Sequence, residues 1–230
     1  MAPSDSSLRY WFYYAVRTFL RLFFRLGFGL EVTGQEHVPA RGPFIVAANH
    51  LSYFDPPLMG AACPRRLSFM ARADLFKNWL LGAFMRGVHV IPLQRGEGDL
   101  AAIREAVIRL RRGDAVAIFP EGGRQLSGRL GMARRGVGLL AEAAEAPIIP
   151  TLIRGTFEAL PSGARWPRRA KIRVAFGAPI PYTKPPCSPT SPPGDREAAR
   201  RDEPSASRTR HQALADCVTA AWQRLAAANP

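Results

Sequence analysis

Residues 43–57 read PFIVAANHLSYFDPP, and residues 114–124 read DAVAIFPEGGR. Each opens with a short apolar run and then breaks into polar, turn-forming residues. An apolar run without alternation marks a strand covered on both faces, as in a parallel sheet between layers of helices. Working outward, RLSFMA (66–71), GVHVIPL (87–93), APIIPTLI (146–153) and KIRVAFG (171–177) read as further strands. A helix is expected after Asp55, because Pro56 suits a first helical position. Residues 74–85, 98–113 and 133–145 also read as helices. In the second of these, Leu100, Ile103, Val107 and Leu110 hold one face and Gly113 supplies a stop. This alternation predicts an α/β domain over residues 31–182, with a central, mostly parallel sheet flanked by helices.

The chain has 230 residues, 47% of them hydrophobic and 22% charged. That is too apolar for disorder throughout and long enough for one substantial core. Against 32 Lys+Arg stand 18 Asp+Glu, a net charge of +14. Such an excess predicts an anionic partner: nucleic acid, a membrane surface or a phosphorylated substrate. There is no RNA-binding signature, no zinc-ligand spacing and no helix-turn-helix pattern, which argues against nucleic acid. Cys63, Cys187 and Cys217 are odd in number and far apart, so neither a disulfide framework nor a zinc ribbon is expected.

Residues 8–30, LRYWFYYAVRTFLRLFFRLGFGL, begin an N-terminal helical unit placed at 1–30. At about 100° per residue, Arg9, Arg17, Arg21 and Arg25 fall within an arc of roughly 160°. Trp11, Phe12, Tyr13, Phe19, Phe23 and Phe24 cover much of the remainder. This pattern suits an amphipathic helix lying in a membrane interface; the alternative is a helix packed on its own domain. The segment lacks the layout of a secretory signal, and no run of 18 apolar residues suggests a simple transmembrane span. Residues 183–206 are rich in Pro, Ser and Arg and read as a linker or insertion. A C-terminal helix is expected over 207–230, with Leu214, Val218, Ala221, Trp222 and Leu225 on one stripe.

His50 follows the first apolar run directly, where α/β folds build their sites. Asp55 lies five residues on. On a straight helix the two side chains would point about 140° apart. They meet only if the chain turns, which Pro56-Pro57 favours. A carboxylate on one imidazole nitrogen would fix the tautomer and leave the other nitrogen as a general base. The plainer reading makes Asp55 a helix N-cap and His50 a turn residue. In FPEGGR the glycines let backbone amides approach a ligand, and Arg124 offers a bidentate grip on phosphate. Arg95 ends a third apolar run, IPLQR. His50, Arg95, Glu121 and Arg124 would thus gather on one edge of a parallel sheet.

These motifs resemble the glycerolipid acyltransferases, the PlsC-like 1-acyl-sn-glycerol-3-phosphate acyltransferases. NHLSYFD carries an HX4D motif as His50 and Asp55. FPEGGR, about 70 residues later, resembles FPEGTR, while GVHVIPLQRG and APIIPTLI match two further blocks. FMARADLFKN and RRG (134–136) also match in order and spacing. The resemblance implies that His50 is the general base and Asp55 its orienting carboxylate. It implies that Arg72, Arg95 and Arg124 surround the acceptor phosphate, and that Glu121 and Gly122 shape the acceptor pocket. It implies a lysophospholipid acceptor, acyl-CoA or acyl-carrier protein as donor, no cofactor and no metal. It further implies a membrane-tethering N-terminal helix and a place on the cytoplasmic face of the inner membrane. Gly123 stands where the family usually has Thr, Gln125 where it often has Ser, and Gln94 where an acidic residue is common. These departures leave other acceptors open: another lysophospholipid, glycerol 3-phosphate or a lyso-aminolipid. A non-catalytic membrane adaptor would not need His50.

The charge is spread along the chain. Its densest stretch is ARWPRRAKIR (164–173), five bases around Trp166 with no acid. An aromatic among arginines suits an anionic bilayer.

Overall fold

The computed structural model describes residues 5–93, 100–182 and 195–228, without the side chains of 5–10, 72 and 195–205. Its centre is a seven-stranded sheet of order β1-β7-β6-β2-β5-β3-β4. The strands are β1 (Glu31–Thr33), β2 (Phe44–Ala48), β3 (Leu67–Arg72), β4 (Ile91–Leu93), β5 (Ala115–Ile118), β6 (Ile148–Arg154) and β7 (Arg173–Phe176). Every pairing is parallel except β6 with β7. The helices are α1 (Asp5–Phe28), α2 (Asp55–Ala62), α3 (Trp79–Gly87), α4 (Leu100–Arg111), α5 (Gly136–Ala144), α6 (Thr156–Ala159) and α7 (Asp195–Ala228).

All five residues of β2 are buried, because β2 has strands on both sides and helices over both faces. Phe44, Val46 and Ala48 point into one core with Phe24, Leu58 and Phe176. Ile45 and Ala47 point into the other with Leu110, Val137 and Trp222. Alternate residues facing two apolar layers explain why the run has no polar member.

Two sequence expectations are corrected, and one strand was missed. GVHVIPL is not one strand: α3 continues to Gly87, and only Ile91–Leu93 joins the sheet. The amides of Val88 and Val90 bond back to Phe84 and Met85, and His89 takes a left-handed φ of 62°, so the chain turns before it extends. β1 went unread because it is a three-residue edge strand, only partly buried. The last helix starts at Asp195, not 207.

α7 docks on the second face of the sheet. Its Trp222 indole N–H donates to the Ala47 carbonyl at 3.0 Å. α5 crosses α7 at Gly138, where a Cβ would lie 2.4 Å from the His211 carbonyl oxygen.

α1 packs on the first face through Tyr13, Phe24 and Phe28, all buried. The Leu67 N–H donates to the Tyr13 hydroxyl at 3.1 Å, and burial pushes that phenol up to about 12. Tyr13, Arg17, Phe24 and Phe28 share one arc of the helix. The opposite arc carries Trp11 (70% exposed), Phe19 (68%) and Leu26 (73%). The helix therefore buries Tyr13 and Phe24, which the sequence groups with the outward aromatics, leaves Arg21 and Arg25 exposed, and keeps a second apolar arc facing away from the domain. Among the described residues no helix is long and apolar enough to cross a membrane.

Candidate active site

β2 and β5 run parallel side by side, so the loops after them meet at one sheet edge, where open α/β sheets bind ligands. The loop after β2 begins with Asn49, buried, whose side chain donates to the Ile153 carbonyl at 3.0 Å and accepts from the Ile153 amide at 2.7 Å. Asn49 extends the β2–β6 ladder by one residue and so fixes where the chain leaves the sheet. Nothing in the sequence reading marked it; its place directly before His50 was the available signal.

Residues 51–54 turn, and α2 starts at Asp55 with Pro56 and Pro57 next. The turn brings Asp55 Oδ2 to 2.8 Å from His50 Nδ1. The same oxygen accepts from the amides of Leu51 at 2.6 Å and Ser52 at 2.7 Å. Asp55 is thus not the N-cap; it is the first helical residue, folded back onto the loop before it. Its carboxylate is fully buried, while the His50 side chain keeps 17% of its surface. Phe119, from the end of β5, stacks on the imidazole with ring centres 4.2 Å apart. Among the described residues no hydrogen bond occupies His50 Nε2. An imidazole held at Nδ1 by a buried carboxylate and open at Nε2 has the arrangement of a general base. Ser52 anchors the same turn by donating to the Leu160 carbonyl at 2.7 Å.

The PEGGR loop locks against the HX4D loop. Glu121, 2% exposed, accepts from the His50 amide at 3.1 Å and from the Gly131 amide at 3.1 Å. The Gln125 amide donates to the His50 carbonyl at 2.8 Å. Burial pushes the Glu121 carboxyl above its usual range, against the pull of its amide donors. Glu121 therefore ties the two loops together beneath the surface rather than opening onto a pocket. Gly122 adopts φ +79° and leaves room for Arg134, whose guanidinium would meet an added Cβ at 3.0 Å. A larger side chain there would be strained by the positive φ and would push the Arg134 guanidinium aside.

Arg124 reaches across the mouth of the site. It donates to the Tyr53 hydroxyl at 2.9 Å and the Ser162 hydroxyl at 3.1 Å, and its guanidinium lies 3.6 Å from the Tyr53 ring centre. Arg72 ends β3 beside Leu93, with its side chain outside the described residues. Arg95 lies outside the described residues altogether.

Beside His50 an apolar groove of about 380 Å³ runs between α1, α2, β3 and α3. Phe119, which stacks on His50, lines it together with Tyr53, Leu20, Pro57, Phe69 and Met85. Among the described residues no cluster of His, Cys, Asp or Glu has the makings of a metal site.

An acyltransferase family model matches residues 29–154, which contain both loops. A 1-acyl-sn-glycerol-3-phosphate acyltransferase of Bacillus subtilis is 27% identical over 70% of this chain and 78% of its own. One of Streptococcus pneumoniae is 30% identical over 60% of this chain and half of its own. A solved structure of the PlsC acyltransferase of Thermotoga maritima, 23% identical, overlays with a TM-score of 0.67 across 92% of this chain and 84% of that one. The match covers the strands and loops that carry His50, Asp55 and Glu121, and the chain belongs to the acyltransferase family.

Proposed function

We propose that the protein is a membrane-associated 1-acyl-sn-glycerol-3-phosphate acyltransferase. The observation that carries this reading is the His50–Asp55 pair at the head of an apolar groove, with Arg124 across its mouth. His50 Nε2 takes the proton of the acceptor hydroxyl as that oxygen attacks the thioester carbonyl. Asp55 holds the imidazole in the tautomer with Nδ1–H and steadies the imidazolium that forms. As the tetrahedral intermediate collapses, the C–S bond breaks and the imidazolium returns its proton to the leaving thiolate. The products are a new ester and a free thiol. The groove takes the hydrocarbon chain. Arg124 leaves Tyr53 and Ser162 to grip the acceptor phosphate, a role the family resemblance also gives to Arg72 and Arg95. The donor is acyl-CoA or acyl-carrier protein.

The outward aromatic arc of α1 supports a place on the bilayer surface. So does the 164–173 run, which adjoins the end of α1 where the Ile172 amide bonds to the Phe28 carbonyl at 3.0 Å. Arg165, Trp166, Arg168 and Arg169 are all exposed there. The cytoplasmic face follows from a donor made inside the cell.

Thiol release from oleoyl-CoA in the presence of lysophosphatidate tests the chemistry. A fully active His50→Ala enzyme refutes it. A panel of glycerol 3-phosphate, other lysophospholipids and lyso-aminolipids tests the acceptor. Sedimentation with anionic vesicles tests the tether: Phe19→Glu with Leu26→Glu should release the protein into the supernatant.

A further inference from the structure

The apolar surface of α1 does not stand alone. Eleven of the eighteen large hydrophobic side chains exposed among the described residues lie in α1 or in the 73–87 segment, a 3-10 turn followed by α3. In the latter, Trp79 is 78% exposed and Leu80 64%, with Leu75, Leu81 and Phe84 each above 40%. Trp79 and Leu80 are the first two residues of α3. They are held outward because Asn78 caps the helix, its side chain accepting from the amides of Leu80 and Leu81 at 3.1 and 3.0 Å. Gly82 keeps the segment tight: a Cβ there would lie 2.7 Å from the Phe76 carbonyl oxygen.

The two elements join. Phe12 meets Phe84 edge to face, ring centres 6.1 Å apart, and packs so closely on Gly87 that a Cβ there would lie 2.8 Å from its ring. Between them lies a surface cavity of about 690 Å³ lined by Phe12, Leu80, Leu81, Ala83, Phe84 and Asn78. Leu81 and Phe84 line both this cavity and the inner groove. The cavity and the acyl groove therefore share a wall.

We propose that the start of α3, led by Trp79 and Leu80, is a second membrane-inserting element, coplanar with the aromatic arc of α1. The inference rests on the membrane-associated reading above and deepens it. Its occupant is an anionic lipid bilayer. An exposed Trp-Leu-Leu run gains by immersion at the headgroup boundary, where an indole sits well. Lys77 and Arg86 flank the run, in a chain that carries a strong excess of base. The shared wall adds a reason for lipid rather than protein: immersion sets the outer cavity among acyl chains, so a hydrocarbon tail passes between α1 and α3 into the groove without crossing water.

The full chain is tested with phosphatidylglycerol–phosphatidylethanolamine vesicles, with and without brominated acyl chains. In a Trp11→Phe, Trp166→Phe background, only Trp79 and the fully buried Trp222 remain to emit. Bromolipid should quench that emission, and adding Trp79→Phe should abolish the quenching. Trp79→Ala with Leu80→Ala, α1 intact, should lower vesicle partition roughly tenfold or more. These residues are exposed, so the near-ultraviolet circular dichroism should stay that of wild type. Quenching that persists without Trp79, or partition equal to wild type, overturns the proposal while the α1 tether stands. Wild type that ignores vesicles overturns both. A double variant that turns a dimer into a monomer without changing partition overturns the proposal by making the face a contact between copies.

Discussion

One oxygen of Asp55 serves three donors: His50 Nδ1 at 2.8 Å and the amides of Leu51 and Ser52 at 2.6 and 2.7 Å. The carboxylate that orients the imidazole also folds the loop that presents it. Function and local structure are thus coupled at one atom, and the two roles separate by substitution.

His50→Ala removes the base and leaves the loop bonds in place. Activity should fall roughly 10²- to 10⁴-fold, with little change in melting temperature. Asp55→Asn presents one carbonyl oxygen where a carboxylate received all three donors. It should lose activity by a similar factor and also melt lower, since the weaker acceptor holds the same three donors and a buried NH2 takes the place of Oδ1, which has no partner. Thiol-release kinetics and calorimetry on both variants check this. An Asp55→Asn enzyme with wild-type stability would mean that the amides of Leu51 and Ser52 do not depend on the charge.

Arg124 is held by Tyr53 and Ser162 before any acceptor arrives. Arg124→Ala should raise KM for lysophosphatidate at least roughly tenfold, with a smaller change in kcat. Arg124→Lys should not restore it, because an ammonium cannot make the forked contact. Tyr53→Phe keeps the ring beneath the guanidinium and should change KM only a few-fold. Initial rates against acceptor concentration decide these points.

Burial raises the Glu121 carboxyl above its ordinary range. A carboxyl raised in the folded state holds its proton longer than in the unfolded chain. Its contribution to stability is therefore full at acid pH and is lost as pH rises through the folded value. Glu121→Gln abolishes that dependence and loses one of the two amide contacts. The gap in melting temperature between wild type and variant should be widest near pH 4 and narrow toward neutrality, on the usual carboxyl scale. A gap that widens with pH would reverse the sign argued here.

Glu142 shows the opposite case. Burial alone would raise its carboxyl, but Arg210 and His211 outweigh that and hold it below the usual range. The stability it lends to the α5–α7 contact is present above that range and lost as pH falls through the folded value. Protection along α7, measured against the intrinsic exchange rate at each pH, should fall on acidification, and in Glu142→Gln it should be low and independent of this titration. Gly138→Ala attacks the same contact sterically, since its Cβ would sit 2.4 Å from the His211 carbonyl oxygen. It should cost about 1–3 kcal/mol, read by denaturant unfolding.

Much of the site was written locally. The apolar runs around 44–48 and 115–118 predict buried strands because a two-sided burial tolerates no polar residue. The Pro56-Pro57 pair makes a turn after His50 the expected path, and that turn is what lets residues five apart meet. Short or edge elements were not legible in this way. The three residues of β1 carry too little pattern, and His89 turns the GVHVIPL run through a backbone conformation that its residue type does not announce. Asn49, too, reveals itself only by pairing with Ile153, more than a hundred residues away.

By itself, then, the sequence determined the layered α/β arrangement and the placing of two loops at one sheet edge, and it offered the pairing of His50 with Asp55 as one of two readings. These follow from residue periodicity and short-range chain geometry, which are local. Only the tertiary structure decided that Glu121 lies beneath the site as a brace between loops. Likewise, it alone decided that Arg134 stands behind Gly122 and that α1 buries Tyr13 and Phe24 while keeping a second apolar arc facing away from the domain. Each depends on what a distant segment brings to the same place: the His50 amide, the Arg134 guanidinium, the Tyr13–Leu67 bond. A side chain's neighbours across the fold are set by packing that no short window of residues contains.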